Sequence, residues 1–164
     1  MATHRSLLMR ANRRMGASLV DHNLVDLSEL EAANERLLEV IKDGIGRRTS
    51  ILSLLVTEMN VVDEAALIRR QVEEFNLAPI SLAHAERDET LFRKLDSDQL
   101  WATLTVPFDM QDNFTFLASA YYLSSYVREY WEDLLDGPVL WYIATMNDLS
   151  EVIEWHAKES AHRR

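Results

Sequence analysis

Asn23-Leu24-Val25-Asp26, with Leu30 after it, returns as Asn60-Val61-Val62-Asp63, with Leu67 after it, at a spacing of 37 residues. Each copy follows an apolar run, Met15-Gly16-Ala17-Ser18-Leu19-Val20 in the first and Leu52-Ser53-Leu54-Leu55-Val56 in the second. Each also leads into a further helix-like run. A repeat of this length means that one supersecondary unit was built twice. Two copies are too few for a solenoid, so they are expected to pack face to face as one helical module. Asn tolerates the left-handed conformation that ends a helix. The two apolar residues plug the turn into the core. Asp then caps the next helix by accepting from its first free N–H groups. Each copy, about 14–43 and 51–75, is therefore helix, tight turn, helix.

Working outward, the pattern predicts helices over 13–22, 27–43, 49–59 and 63–75, the second with Leu27, Leu30, Leu37, Leu38 and Ile41 on one broad face. Pro79 disfavours helix at the residue before it, and Ile80-Ser81-Leu82 reads as a short extended exit. Past residue 83 the pattern changes. A charged connector, Glu86-Arg87-Asp88-Glu89, leads to a short helix at 96–102 capped by Asp96 or Ser97. Residues 104–110 and 114–120 read as a hairpin, 123–135 as a helix opened by Ser124 or Ser125, 139–144 as a buried strand and 148–160 as a last helix capped by Asn147 or Asp148. The expected class is α+β: a four-helix lobe of two helix-turn-helix repeats over 1–82, and a small α/β lobe with a three-stranded sheet over 83–164.

The 164 residues and 48% hydrophobic content suit one domain with a packed interior. The chain has no cysteine, which excludes disulfides and thiolate metal or redox sites. No apolar run approaches the roughly 20 residues that span a bilayer, and Arg13 and Arg14 interrupt the start too early for a signal peptide. A soluble, cytoplasmic protein is expected. A net charge of −10 disfavours nucleic acid and anionic membranes as general partners. The charge is uneven: residues 1–20 carry Arg5, Arg10, Arg13 and Arg14 and no acid, and Arg47 and Arg48 precede the second repeat. This is either a solvated positive end or a local anion site built from the two repeat starts.

The doubled run resembles the N-terminal domain of the type II secretion and type IV pilus assembly ATPases, the MshEN domain. That family's pattern is Arg-Leu-Gly, two spaced aliphatics, a turn Gly, two more aliphatics, spaced leucines and a Gln, twice over. Here Arg14-Met15-Gly16, Leu19-Val20, Asn23, Leu24-Val25 and Leu30 match the first copy, and Ile51-Leu52-Ser53, Val56, Asn60, Val61-Val62 and Leu67 the second. The exit Phe75-Asn76-Leu77-Ala78-Pro79-Ile80-Ser81-Leu82 is similar to the family's, as are Val106-Pro107 and Leu117 to Ala120 in the second lobe. Some members bind cyclic di-GMP across the doubled motif; others have lost it and dock partner proteins. The resemblance implies Arg14 as a guanine or phosphate contact and Gly16 as close backbone access. It implies a floor of Met15, Leu19, Val20, Leu24, Val25, Leu52 and Val61, the competing reading of these aliphatics being core packing, with Arg47 or Arg48 as substitute charge for the second copy. That copy departs from the pattern, with Ile51 for Arg and Ser53 for Gly, and both turn glycines are Asn. No Gly-x-x-x-x-Gly-Lys-Ser/Thr run occurs, so no ATPase activity is implied. The expectation is the module alone, non-enzymatic, acting on a secretion, pilus or surface-polysaccharide machine.

Other chemistry is thin. The five histidines (4, 22, 84, 156 and 162) form no His-Glu-x-x-His pair, and no Gly-x-Ser-x-Gly elbow is present. Aromatics gather in the second lobe. Tyr121, Tyr122 and Tyr126, flanked by Glu129, Glu132, Asp133 and Asp136, suit an aromatic docking patch for a basic partner. The competing reading of these rings is core packing.

Overall fold

In a computed structural model, which describes residues 4–44, 49–83 and 89–162, both repeat turns are left-handed at asparagine, with φ 58° at Asn23 and 56° at Asn60. The first helix, α1 (His4–Asp21), closes through the pair of bonds expected of such a turn: Asn23 N–H to Val20 O (3.0 Å) and Leu24 N–H to Leu19 O (2.9 Å). Helix α2 (Leu27–Lys42) opens at Asp26, whose own N–H donates to Glu29 Oε1 (3.0 Å). In the second copy α3 (Ile51–Ser53) runs straight into a π-helical turn (Leu54–Glu58), and α4 (Glu64–Phe75) opens where Asp63 Oδ1 accepts from Ala65 N–H (3.1 Å).

The π-helical turn alters the repeat. Leu24 N–H reaches Leu19 O in the first copy, but Val61 and Val62 N–H both reach Leu55 O in the second. One extra residue is wound into the second helix. The spacing of 37 therefore holds from the asparagines onward, whereas Leu19 and Leu55, like Met15 and Ile51, correspond at 36. Burial agrees: these four side chains are all fully enclosed, while Val56 is only half-buried. The helix expected over 49–59 is thus a short α-helix with a π-turn. Helix α1 starts nine residues earlier than the expected 13, because Leu7, Leu8 and Ala11 extend its buried face across the arginines.

Beyond α4 the chain forms β1 (Ala78–Pro79), α5 (Glu89–Phe92), α6 (Ser97–Thr103), β2 (Thr105–Gln111), β3 (Phe114–Ser119), α7 (Ser125–Leu134), β4 (Val139–Ile143) and α8 (Met146–His162). The sheet order is β1-β4-β3-β2; β2 and β3 are antiparallel, and β4 lies parallel to both β3 and β1. The three expected strands are joined by a two-residue fourth at the exit of the repeats, starting two residues before the extended stretch read from sequence. Asp112 and Asn113, both at positive φ, close the hairpin. Asp96 caps α6 through Asp98 N–H (3.0 Å). Neither expected residue caps α8. Thr145 Oγ1 accepts from Asp148 N–H (3.1 Å), and the Asp148 carboxylate instead accepts from Leu82 N–H (3.1 Å).

One apolar cluster runs from Ala11 of α1 through Leu55, Leu67 and Val106 to Ile153 of α8, with Trp131 and Tyr121 its largest enclosed rings. The described part of the connector, Glu89, opens α5; Glu86, Arg87 and Asp88 lie outside the described residues. Among the described residues no helix is long and apolar enough to cross a membrane. Because Asn60 sits at φ 56°, Asn60→Gly should leave urea-unfolding stability nearly unchanged. Asn60→Val should lower it by about 1–3 kcal/mol, since a β-branched side chain is strained there.

Candidate functional site

The residues expected to meet a ligand are not brought to one surface. Met15, Leu19 and Leu52 are fully enclosed and Val25 nearly so; Val20 and Leu24 are half-buried, and Val61 lies at the surface. Arg48 lies outside the described residues, as does Arg47. Arg14 is exposed on α1, while Gly16 is buried. Two positions apart on a helix is a rotation of about 200°, so Arg14 and Gly16 face nearly opposite ways. Gly16 serves packing: a Cβ there would stand 2.6 Å from Leu30 Cδ1. Its bareness lets the leucine of α2 press onto α1. Val61 instead borders a cleft of about 520 Å³ at the second turn, with Val56, Asn60 and Asp63.

The start of the second repeat is built from three distant parts of the chain. Ser50 Oγ accepts from Ser53 N–H (3.0 Å), and the Ser53 hydroxyl accepts from Ser50 N–H (2.9 Å). Ile51 N–H donates to Asn12 Oδ1 of α1 (2.9 Å), and Leu52 N–H donates to the Tyr121 hydroxyl (3.2 Å). That hydroxyl in turn donates to Asn12 Oδ1 (2.6 Å), whose amide donates to Leu8 O (2.7 Å). The first three N–H groups of α3, which have no partner within the helix, are each satisfied in the interior. Asn12 precedes the first motif copy. Its signal is a polar residue set in the apolar row Leu8, Met15, Leu19.

Of the three tyrosines expected to form a docking patch, Tyr121 is corrected by this network: it is 1% exposed and its hydroxyl is spent inside. Tyr122 and Tyr126 reach the surface, each half-buried under an arginine. Arg128 lies 4.9 Å from the Tyr122 ring centre and Arg10 5.8 Å from that of Tyr126, within reach of a cation–π contact. Tyr122 also touches Phe75 of α4 and Trp141 of β4, and Phe75 touches His22 at the first turn. Four rings thus link the repeats to the sheet. Trp141 Nε1 donates to Glu132 (3.2 Å), one of the acids expected to flank the patch. Among the described residues no group of three or more His, Cys, Asp or Glu side chains is placed to hold a metal.

Tyr121→Phe strands Leu52 N–H without a partner and should cost about 1–3 kcal/mol of unfolding free energy. Burial also pushes the Tyr121 phenol up to about 12. The folded state therefore holds this proton more tightly than the unfolded chain, where the value is about 10. The associated stability is intact below about pH 10 and declines by roughly 2–3 kcal/mol as pH rises to about 12. Denaturant titrations at the two ends of this window should show that alkaline loss to be smaller in Tyr121→Phe than in the parent.

No family model matches the chain, and no curated protein sequence does. Solved structures do. A structure of MshE with cyclic di-GMP is similar at TM-score 0.55 and 17% identity, over 87% of this chain and 97% of that one. The N-terminal domain of XpsE is similar at TM-score 0.56 and 15% identity, over 88% of this chain and 94% of that one, and at 0.55 and 16% in another crystal form. At such identities the likeness is one of fold. The doubled asparagine turns and the small sheet they lead into therefore make this chain an MshEN-like fold, the fold of the XpsE N-terminal domain.

Proposed function

We propose that this chain is a non-enzymatic docking and regulatory module of the secretion and pilus ATPase N-terminal type. Residues 1–82 and 83–164 are two lobes of one domain. It works in the bacterial cytoplasm on a protein component of a secretion, pilus or surface-polysaccharide machine. The observation that carries this reading is the state of the doubled motif. The fold is kept, but Met15, Gly16, Leu19 and Leu52, where a ligand would lie, are packed into the core. The half-buried rings of Tyr122 and Tyr126 reach the surface, and such rings are favoured as interface anchors. Affinity capture from the native cytoplasm should recover a machine component. Tyr122→Ala with Tyr126→Ala should weaken that capture at least about tenfold. Equal capture by both forms refutes the patch.

A second reading is favoured by the MshE structure with cyclic di-GMP: retained ligand binding, with exposed Arg14 as the guanine or phosphate contact. Calorimetric titration with cyclic di-GMP, with GTP as control, separates the two. The docking reading expects no heat. Micromolar binding, about −8 kcal/mol, that is lost in Arg14→Ala would establish the second reading.

A further inference from the structure

Between α1 and α2 lies a cavity of about 660 Å³ that the aromatic patch does not use. Its apolar lining comes from Met9 on one helix and Leu37, Leu38 and Ile41 on the other. Met9 is 41% and Leu38 44% exposed. Leu27, more exposed still at 59%, falls on the Leu38 side of α2 by helical spacing. The rim on the α1 side is cationic: Arg5, Arg10 and Arg13 line the same cavity, and among the described residues no acidic side chain does. None of the three forms an ion pair among the described residues. In a chain of net charge −10, three uncompensated guanidinium groups beside an apolar seam are a local reversal of sign.

We propose that this seam receives an amphipathic helix with an acidic edge from a partner protein, which lies along α1 and α2 and completes a three-helix layer. Two helices joined by a tight turn leave a trough that a third helix fills with its apolar stripe. A phosphate backbone would leave the floor of Met9, Leu37, Leu38 and Ile41 uncovered, so the chemistry favours a peptide helix. The geometry sets the pattern. Arg5, Met9 and Arg13 form one row of α1 at steps of four, which places the two outer arginines about 12 Å apart along the axis. The occupant carries carboxylates two turns apart, seven or eight residues, on one side of an apolar stripe. Exposed arginines contribute chiefly to steering and to the choice of partner. The leucines and Met9 supply the buried area. Arg10 lies over Tyr126 at the end of this rim, so the seam adjoins the aromatic patch.

This inference rests on the docking reading but concerns a different surface. The probes are two fluorescein-labelled helical peptides of about five turns, alike in their leucine stripe and differing only in whether the flanking residues are Glu or Lys. With the full chain, anisotropy should show the Glu peptide binding at least about tenfold more tightly than the Lys peptide and weakening as salt rises. Arg5→Glu with Arg13→Glu should reverse the preference. Leu38→Glu should weaken binding of the Glu peptide. All three positions are exposed, so the unfolding midpoint of each variant should match the parent. Failure of the Glu peptide to bind, equal binding of both peptides, or indifference to the arginine reversals overturns the proposal. A chain that still captures its partner through Tyr122 and Tyr126 while ignoring the Glu peptide refutes the seam alone.

Discussion

The structure depends on how one helix start is satisfied in the dark of the core. The first N–H groups of α3 are buried among Ile51, Leu52 and Ser50, where an unmet donor costs about 1–3 kcal/mol. Ser50 is the local cap, but its reach ends at Ser53. The other two donors are met by Asn12, from the first repeat, and by Tyr121, from the loop after β3. Partners 39 and 69 residues away in sequence must therefore arrive together. The bond between Asn12 and Tyr121 closes the triangle. The two repeats and the loop after β3 are tied by a buried polar contact, which is more directional than apolar packing.

The same economy explains the motif's present form. A glycine that in the MshEN pattern is read as backbone access here lies under Leu30. The second copy spends its extra residue on a π-turn, which turns Leu55 O toward two amides at once. Such turns often occur at functional sites; this one sits beside the cleft that Val61 borders. The motif keeps its turns and caps because they build the hairpins. Met15, Leu19 and Leu52 of the motif lie in the interior.

Polar ties also cross from the repeats into the second half of the chain. Glu64, at the start of α4, accepts from Met146 N–H (3.0 Å), and Asp148 accepts from Leu82 N–H (3.1 Å). Ser124, which opens α7, gives its hydroxyl to Ala11 O of α1 (2.9 Å). Asp148 and Ser124, which local reading assigns to their own helices, are thus used elsewhere. Strand β1, too short to stand alone, exists because β4 offers it a parallel edge at Tyr142 and Ile143.

By itself the sequence determined the local chemistry: asparagines at left-handed turns, aspartates at the starts of α2 and α4, the hairpin joined across Gln111-Asp112-Asn113, the β-forming runs of β2 and β3 and the class of fold. These follow from backbone preferences and periodicity over a few residues, which neighbours in the chain suffice to specify. Tertiary structure alone decided that α1 begins at His4, that the repeat is 37 residues on one side of its turn and 36 on the other, and that Tyr121 is an internal strut rather than a docking ring. It also decided that Arg14 and Gly16 look in different directions. Each of these depends on what fills the space beside a residue and which distant group meets its hydrogen bond, and those partners are fixed only when the whole chain has packed.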